Sequence, residues 1–449
     1  MHKWKIIFLL LPFWLIFYVA IPPFQSPDEQ GHYNFVQSLS NLSYPSFPKA
    51  GKLCDSSEVR DVTNYYEGNK LPFNENKIIS KPNAIPNRNY AEKINCTVQA
   101  NQPPLYYLAS TVFYKTATFF NFFGATRFYF TRLSSLFFYI IFIIFSYKSF
   151  LLLFNKKTSF FLSVAVGIQP TILMLAVGLN PEIGAVSLST VVFYFILKYL
   201  KTGKLNYKNL FLLVLISAAA ILSKITSLVV IPTCLFLIIR SKNLNLTDML
   251  KKMVIYLFFT FLFITPWLLA NWKVNSSIML DNLALVYPKT LTAPLPTKVV
   301  VKGVLKDFEN AMRTIPGMIG WLDTPLFESL AILELIAAFF AFTMGLFATL
   351  KERFGTFTEK ALLTSVLFVT AVFTFNLYLA INFQLRIGVS GLQGRYFIIG
   401  VVPFFIVAVY GLTKFFRVSD QTISKLIVNI SFFIYFIFVL FNFLPRYYV

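Results

Sequence analysis

The sequence predicts an all-α polytopic membrane protein of about eleven transmembrane helices, with outer-face loops and one interfacial helix. Composition is the first reason: of 449 residues, 57% are hydrophobic, 18% aromatic and only 13% charged. The second is length. Apolar runs such as Ile6 to Ile21, Leu133 to Phe154 and Met253 to Trp272 approach or reach the roughly 20 residues a helix needs to cross a bilayer, and such runs recur to the end of the chain. The third is the spacing of positive charge, which clusters between the runs at Lys3 and Lys5, Lys156 and Lys157, Lys198 to Lys208, Arg240 to Lys252, Lys351 to Lys360, and Lys414 to Lys425. Disordered, fibrous and disulfide-scaffold classes do not fit, nor does a β-barrel, which would show short alternating segments.

Lys and Arg number 40 against 19 Asp and Glu, a formal charge of +21. In a soluble chain that excess would suggest nucleic acid. Here no basic stripe interleaves with exposed aromatics, so nucleic-acid binding is not expected, and the clusters follow the positive-inside pattern of cytoplasmic loops. Lys3 and Lys5 before an apolar stretch also resemble the start of a signal peptide. Ile21-Pro22-Pro23 follows where a small-residue cleavage site would stand, so residues 1–21 read as a retained first span.

Residues 22–129 read as the first outer (periplasmic) loop, polar up to residue 104 and then carrying an aromatic-rich interfacial helix at 105–123 that contains Lys115. Treating 105–123 as interfacial, with spans 2–7 across 130–272, a second outer loop at 273–325 and spans 8–11 across 326–449, puts every basic cluster on the cytoplasmic side. Treating it as a span would move them outside. Chemistry is therefore sought on the outer face. Short spans near 209–223 and 226–239 flank Lys224 and would meet part-way at that face. Of the three cysteines, Cys54 and Cys96 share the first loop, where a disulfide is expected and two unpaired thiols are the alternative; Cys234 lies in an apolar run.

Four strings stand where loops meet spans. In Ser26-Pro27-Asp28-Glu29, Ser26, Pro27 and Glu29 fit N-cap, N1 and N3 of a new helix, a capping box. Asp28 is then a carboxylate of the first helical turn, suited to take a proton from an acceptor hydroxyl as a general base or simply to complement the helix dipole, with Glu29 as the neighbouring acid. His32 shares its face and could position a donor phosphate or be a structural imidazole. Gln102-Pro103-Pro104-Leu105-Tyr106-Tyr107 opens the interfacial helix, with Gln102 and Tyr106 as candidate ligand contacts. Gly320-Trp321-Leu322-Asp323 precedes a span; Trp321 could stack on a sugar, and Asp323 is a reserve acid. In Gln393-Gly394-Arg395-Tyr396, Arg395 is the first choice for phosphate, since a guanidinium forks bidentately onto phosphate oxygens, and Tyr396 lies beside it. Lys224, Arg132 and Arg386 are weaker outer-face cations, and Glu182, Glu328 and Glu334 are acids in or near spans. No P-loop, dinucleotide fingerprint, Ser-His-Asp set or CxxC occurs, and with His2 and His32 the only histidines a His-based zinc site is not expected.

Together these strings resemble the GT-C superfamily of membrane glycosyltransferases, which use polyprenyl-phosphate-linked sugars and carry an acidic motif just after the first span. They are also similar to the motifs of a bacterial family of uncharacterised conserved membrane proteins: Pro-Asp-Glu-x-x-His at 27–32, Gln-Pro-Pro-Leu-Tyr-Tyr at 102–107 with Gln102 where His is common, Gly-Trp-Leu-Asp at 320–323 and Gln-Gly-Arg-Tyr at 393–396. The resemblance implies a GT-C fold in the bacterial inner membrane with the N-terminus cytoplasmic. It implies an inverting transfer of a glucose-like hexose from a polyprenyl phosphate such as undecaprenyl phosphate to a lipid-linked or polymeric glycan at the periplasmic face, in the manner of serotype-converting O-antigen glucosyltransferases acting on lipopolysaccharide. Asp28 would be the base and Arg395 would lie near the phosphate. Some relatives carry a large soluble C-terminal domain; here acceptor recognition is left to the two outer loops. No cofactor is called for, although a divalent cation bridging Asp28 and phosphate is compatible with the set. Competing readings are a transporter or flippase of lipid-linked sugars, a glycan polymerase or ligase, and a non-catalytic scaffold.

Overall fold

The computed structural model describes residues 2–41, 53–54, 56–59, 61–62, 96–97, 99–241, 245–275, 295–319, 324–352, 355–388 and 391–448. The chain is helical. α1 (His2–Ala20) leads through a turn at 21–28 into α2 (Glu29–Ser40), which packs on α3 (Leu105–Phe119). A two-residue antiparallel ladder between β1 (Leu53–Cys54) and β2 (Cys96–Thr97) sets Cys54 directly opposite Cys96. α4 (Gly124–Leu153) packs along both α3 and α7 (Pro181–Thr202); between them in sequence run α5 (Lys156–Gly167) and α6 (Pro170–Val177). α8 (Tyr207–Ser223) breaks at Lys224, followed by a 3-10 turn (Ile225–Val229) and α9 (Val230–Arg240). α10 (Leu246–Asn275), α11 (Thr297–Thr314), α12 (Glu328–Leu350) and α13 (Phe357–Ile387) follow, then a 3-10 turn (Gly394–Gly400), α14 (Val401–Phe416) and α15 (Asp420–Phe438).

Among the described residues, seven helices are long and apolar enough to cross a membrane, the α5–α6 pair makes an eighth if counted as one broken span, and Trp4–Ala20, Tyr207–Ser223 and Ile225–Arg240 are shorter apolar helices. The chain is a multi-span membrane protein, and these elements fall where the sequence shows apolar runs.

Three details differ from the sequence reading. The apolar run at 158–179 is not one straight helix: α5 and α6 are bent by 64°. Pro170 has no N–H to continue α5 and starts α6 at its first position, while the Gln169 side chain caps by accepting from Ile172 N at 2.9 Å. α3 ends at Phe119, short of 123, because Asn121 turns left-handed at φ 56°, and α4 begins at Gly124, before 130. The helix after the first span starts at Glu29, so Ser26 is not its N-cap; Asp28 is, with a left-handed φ of 62° and a side chain that makes no capping bond. Half of the capping box survives, as Ser26 N donates to Glu29 Oε2 at 3.4 Å.

Candidate active site

The site begins with a buried ion pair that shapes the 21–28 turn. Arg132 on α4 donates from Nε to Glu29 Oε1 (2.8 Å) and from Nη2 to Glu29 Oε2 (2.7 Å), and both side chains are 0% exposed. The same guanidinium donates to the carbonyls of Ile21 (2.7 Å) and Pro22 (2.9 Å). Glu29 Oε1 also accepts from Leu179 N at 2.9 Å, which ties the α6–α7 connection to the turn. Gly178 permits this approach, since a Cβ there would stand 2.3 Å from Ser26 Oγ. Glu29 and Arg132 are thus enclosed and mutually engaged. Neither is therefore open to the roles of catalytic acid and phosphate ligand expected of them, and Arg132 holds the turn that leads into Asp28.

Asp28 is 43% exposed at its side chain, and its Oδ2 accepts from Arg395 Nη2 at 3.0 Å. Arg395 stands at the start of the 3-10 turn before α14 and is 4% exposed. Its Nε lies 3.4 Å from Glu182 Oε1, and the same oxygen accepts from Lys224 Nζ. Lys224 and Arg395 both lie over the Tyr396 ring, at 5.0 and 5.6 Å from its centroid. Four charges from four distant stretches therefore meet: two carboxylates and two cations. Each arrives by a helix end. Glu182 sits in the first turn of α7, whose N-cap Asn180 accepts from Glu182 N at 3.0 Å; Lys224 sits at the α8 break. Gly394 lets the Arg395 turn press on the end of α11, where its N donates to Thr314 Oγ1 at 3.0 Å and a Cβ would be 2.4 Å from Ala311 O.

Several buried polar atoms have no protein partner among the described residues: Arg395 Nη1, Glu182 Oε2, Asn180 Nδ2, and the hydroxyls of Ser223 and Thr226, which flank Lys224. Buried donors and acceptors left this way are costly unless water or a polar ligand joins them.

His32 is buried beside these groups, and its Nδ1 shares a 2.7 Å hydrogen bond with the Tyr107 hydroxyl. Burial pushes the imidazole down to about 4, against the pull of Asp28 and Glu182, and holds the Tyr107 phenol protonated well above its usual range. The ring is therefore neutral, and either Tyr107 Oη or Nδ1 is the donor of the bond they share, according to the tautomer. Tyr106 is fully buried, with its hydroxyl on Ser135 Oγ (2.6 Å) and accepting from Asn180 N (3.0 Å); it is corrected from a ligand contact to a support for the α7 N-terminus. Gln102 Oε1 is buried without a partner among the described residues. Trp321 and Asp323 lie outside the described residues, as do the side chains of Cys54, Cys96 and Arg386. No group of three or more His, Cys, Asp and Glu side chains that could hold a metal forms among the described residues. Asp28 and Glu182 are each already paired with Arg395. Glu182 stood in the sequence beside Glu328 and Glu334 only as an acid in or near a span; the structure brings it to Arg395 and Lys224.

A family model described as predicted membrane protein (DUF2142) matches residues 11–405. The chain belongs to the DUF2142 family. No curated protein matches it in sequence. In structure, it is similar to the apo crystal structure of ArnT from Cupriavidus metallidurans, with a TM-score of 0.51 and 13% identity over 94% of this chain and 60% of that one. The same ArnT bound to undecaprenyl phosphate gives 0.49, 14%, 94% and 62%. The Archaeoglobus fulgidus oligosaccharyltransferase, in complex with Zn and sulfate, gives 0.49 and 10%, covering 96% of this chain and 52% of that one. This member of the family thus has the GT-C membrane fold and spans about 60% of the length of the ArnT it resembles.

Proposed function

We propose that the protein is an inverting GT-C glycosyltransferase that moves a hexose from a polyprenyl phosphate, undecaprenyl phosphate in bacteria, to a cell-surface glycan such as O-antigen at the periplasmic face of the inner membrane. One observation carries this reading: Asp28, half exposed, is joined to buried Arg395 across 367 positions of sequence, beside Lys224. An accessible carboxylate next to two enclosed cations is what such a transfer needs. Arg395 and Lys224 hold the donor phosphate and stabilise the charge that grows on it. Asp28 takes the proton of the acceptor hydroxyl, whose oxygen attacks the anomeric carbon from the face opposite the phosphate. The bond from that carbon to the phosphate oxygen breaks, polyprenyl phosphate leaves, and the anomeric configuration inverts. Holding the reactants in line is the main contribution, because phosphate is already a good leaving group.

The test is transfer of radiolabelled sugar from native polyprenyl-phosphate sugars to envelope glycan in membranes carrying wild type, Asp28→Asn or Arg395→Ala. Loss of transfer in both variants at unchanged protein level is expected. Full activity in Asp28→Asn would exclude Asp28 as the base, and no transfer by wild type with any donor would favour a transporter of lipid-linked sugars.

A further inference from the structure

We propose that Arg395 masks Asp28 until the donor phosphate displaces it, so that donor binding itself frees the base. The proposal rests on the transferase reading above and adds an order to it. Arg395 presents two edges. Its Nε faces Glu182 at 3.4 Å as an ion pair without a hydrogen bond, Nη2 is held by Asp28 at 3.0 Å, and Nη1 has no hydrogen-bond partner among the described residues. A phosphate seated bidentately takes a pair of guanidinium nitrogens, and either pair, Nη1–Nη2 or Nε–Nη2, includes Nη2. That seat requires Asp28 to let go of Nη2. Glu182, 2% exposed and also bonded to Lys224, stays in place and acts as a positioning residue that keeps both cations fixed during the exchange.

Two features of Asp28 fit a carboxylate built to be released. It stands at an N-cap, where an Asp side chain ordinarily accepts from the first backbone N–H groups, yet it makes no such bond and turns to Arg395. It holds a left-handed φ of 62°, which is sparsely populated for a residue with a Cβ and is a form of strain that gathers at functional positions. The charge count agrees. Two carboxylates and two cations leave the empty site neutral, so an arriving phosphate meets no surplus positive charge and must compete with Asp28 for Arg395. Without a donor, the acceptor hydroxyl therefore faces a base whose Oδ2 is engaged and whose charge, and with it its basicity, is offset by the guanidinium.

The experiment is titration of farnesyl phosphate, a prenyl monophosphate without a sugar, onto the purified full-length protein in nanodiscs. Asp28→Asn is expected to bind the probe about tenfold more tightly than wild type, because the amide competes less well for Arg395. Asp28→Gly, which the left-handed backbone accepts, is expected to shift the same way and guards against misfolding of the first variant. Glu182→Gln removes the same charge but also the anchor of Arg395, and it is expected to bind more weakly. Unchanged or weaker binding in both Asp28 variants, with binding lost in Arg395→Ala, would overturn the masking and leave the phosphate clamp standing. Equal tightening in the Asp28 and Glu182 variants would make general charge the cause and would also overturn it. Equal binding by wild type and Arg395→Ala would remove the clamp, and the transferase reading with it.

Discussion

Glu29→Gln separates a strut from a catalyst. Glu29 and Arg132 are both fully enclosed, and removing one partner of such a pair leaves an uncompensated buried charge, at a cost of about 3–5 kcal/mol. The low end applies here. Arg132 would keep its bonds to the Ile21 and Pro22 carbonyls and its place over the Phe128 and Tyr129 rings, at 4.7 and 5.1 Å, and the Gln amide oxygen could still accept from Leu179 N. About 3 kcal/mol is on the order of a hundredfold in the folded-to-unfolded ratio. Equilibrium unfolding in mixed micelles of increasing SDS reads it directly.

The double variant Glu29→Met with Arg132→Met is the control. Replacing a buried ion pair by apolar side chains is often neutral, so much of the stability should return. Transfer should not return, because the Ile21 and Pro22 carbonyls lose their donors and the turn that sets Asp28 loosens. The opposite pattern, with Glu29→Gln as stable as wild type and yet inactive in transfer, would refute the assignment and make Glu29 the reacting acid.

Three further outcomes are expected. Gly394→Ala forces a Cβ to within 2.4 Å of the Ala311 carbonyl; the displaced Arg395 should reduce transfer about a hundredfold while the protein still folds, as judged by its melting curve. The His32 imidazole titrates near 4 in the folded protein against an ordinary value of 6.5, so the unfolded chain binds a proton between those values that the native state does not. Stability should be flat above pH 6.5 and fall by on the order of 3 kcal/mol as pH drops from 6.5 toward 4. Melting curves across that range should show this fall in wild type and a shallower one in His32→Gln; equal slopes would dissociate the effect from His32. Cys54 and Cys96 are directly opposed in an antiparallel ladder, where Cα atoms stand about 4.5–5.5 Å apart, within the reach of a disulfide. Maleimide labelling of the denatured protein should gain two thiols on reduction, and Cys54→Ser should leave Cys96 labelled without reductant. Closing this loop of about 40 residues is worth roughly 4 kcal/mol in the chain-entropy account.

The fold was legible because its signal is local. A run of apolar residues long enough to span a bilayer reads the same in sequence and in space, and Pro170 after Gln169 marks a bend that hydropathy smoothed over. The site was legible residue by residue but not pair by pair. Asp28 and Arg395 each stood out at a membrane boundary, yet nothing in one string points to the other 367 positions away. Arg132 shows the limit most clearly. A buried guanidinium must find an anion, but the sequence marks Arg132 only as an outer-face cation, and packing alone brings Glu29 to it. Tyr106 stood among the candidate ligand contacts at the start of the interfacial helix; the structure buries it with Tyr107 and uses their hydroxyls to hold Asn180 and His32.

The four charges of the site share a placement that follows from the bilayer. A charged side chain in the middle of an apolar helix is costly, and each of these stands at a helix end. Asp28 caps α2, Glu182 opens α7, Lys224 fills the break after α8, and Arg395 starts the turn before α14. Helix ends turn side chains inward without burying them in lipid, and they bring backbone groups that still need partners. The result is a neutral cluster that folds without its ligand but keeps Arg395 Nη1 and the Ser223 and Thr226 hydroxyls open among the described residues. A ligand phosphate takes the guanidinium edge held by Asp28 and shifts Asp28 from an ion-pair partner to a free carboxylate. Every negative charge it brings is in excess over two cations already paired with Asp28 and Glu182, so a phosphodiester, with one, is better matched than a phosphomonoester or diphosphate, with more. That ordering is the physical reason to look first among sugars linked to a lipid through a single phosphate.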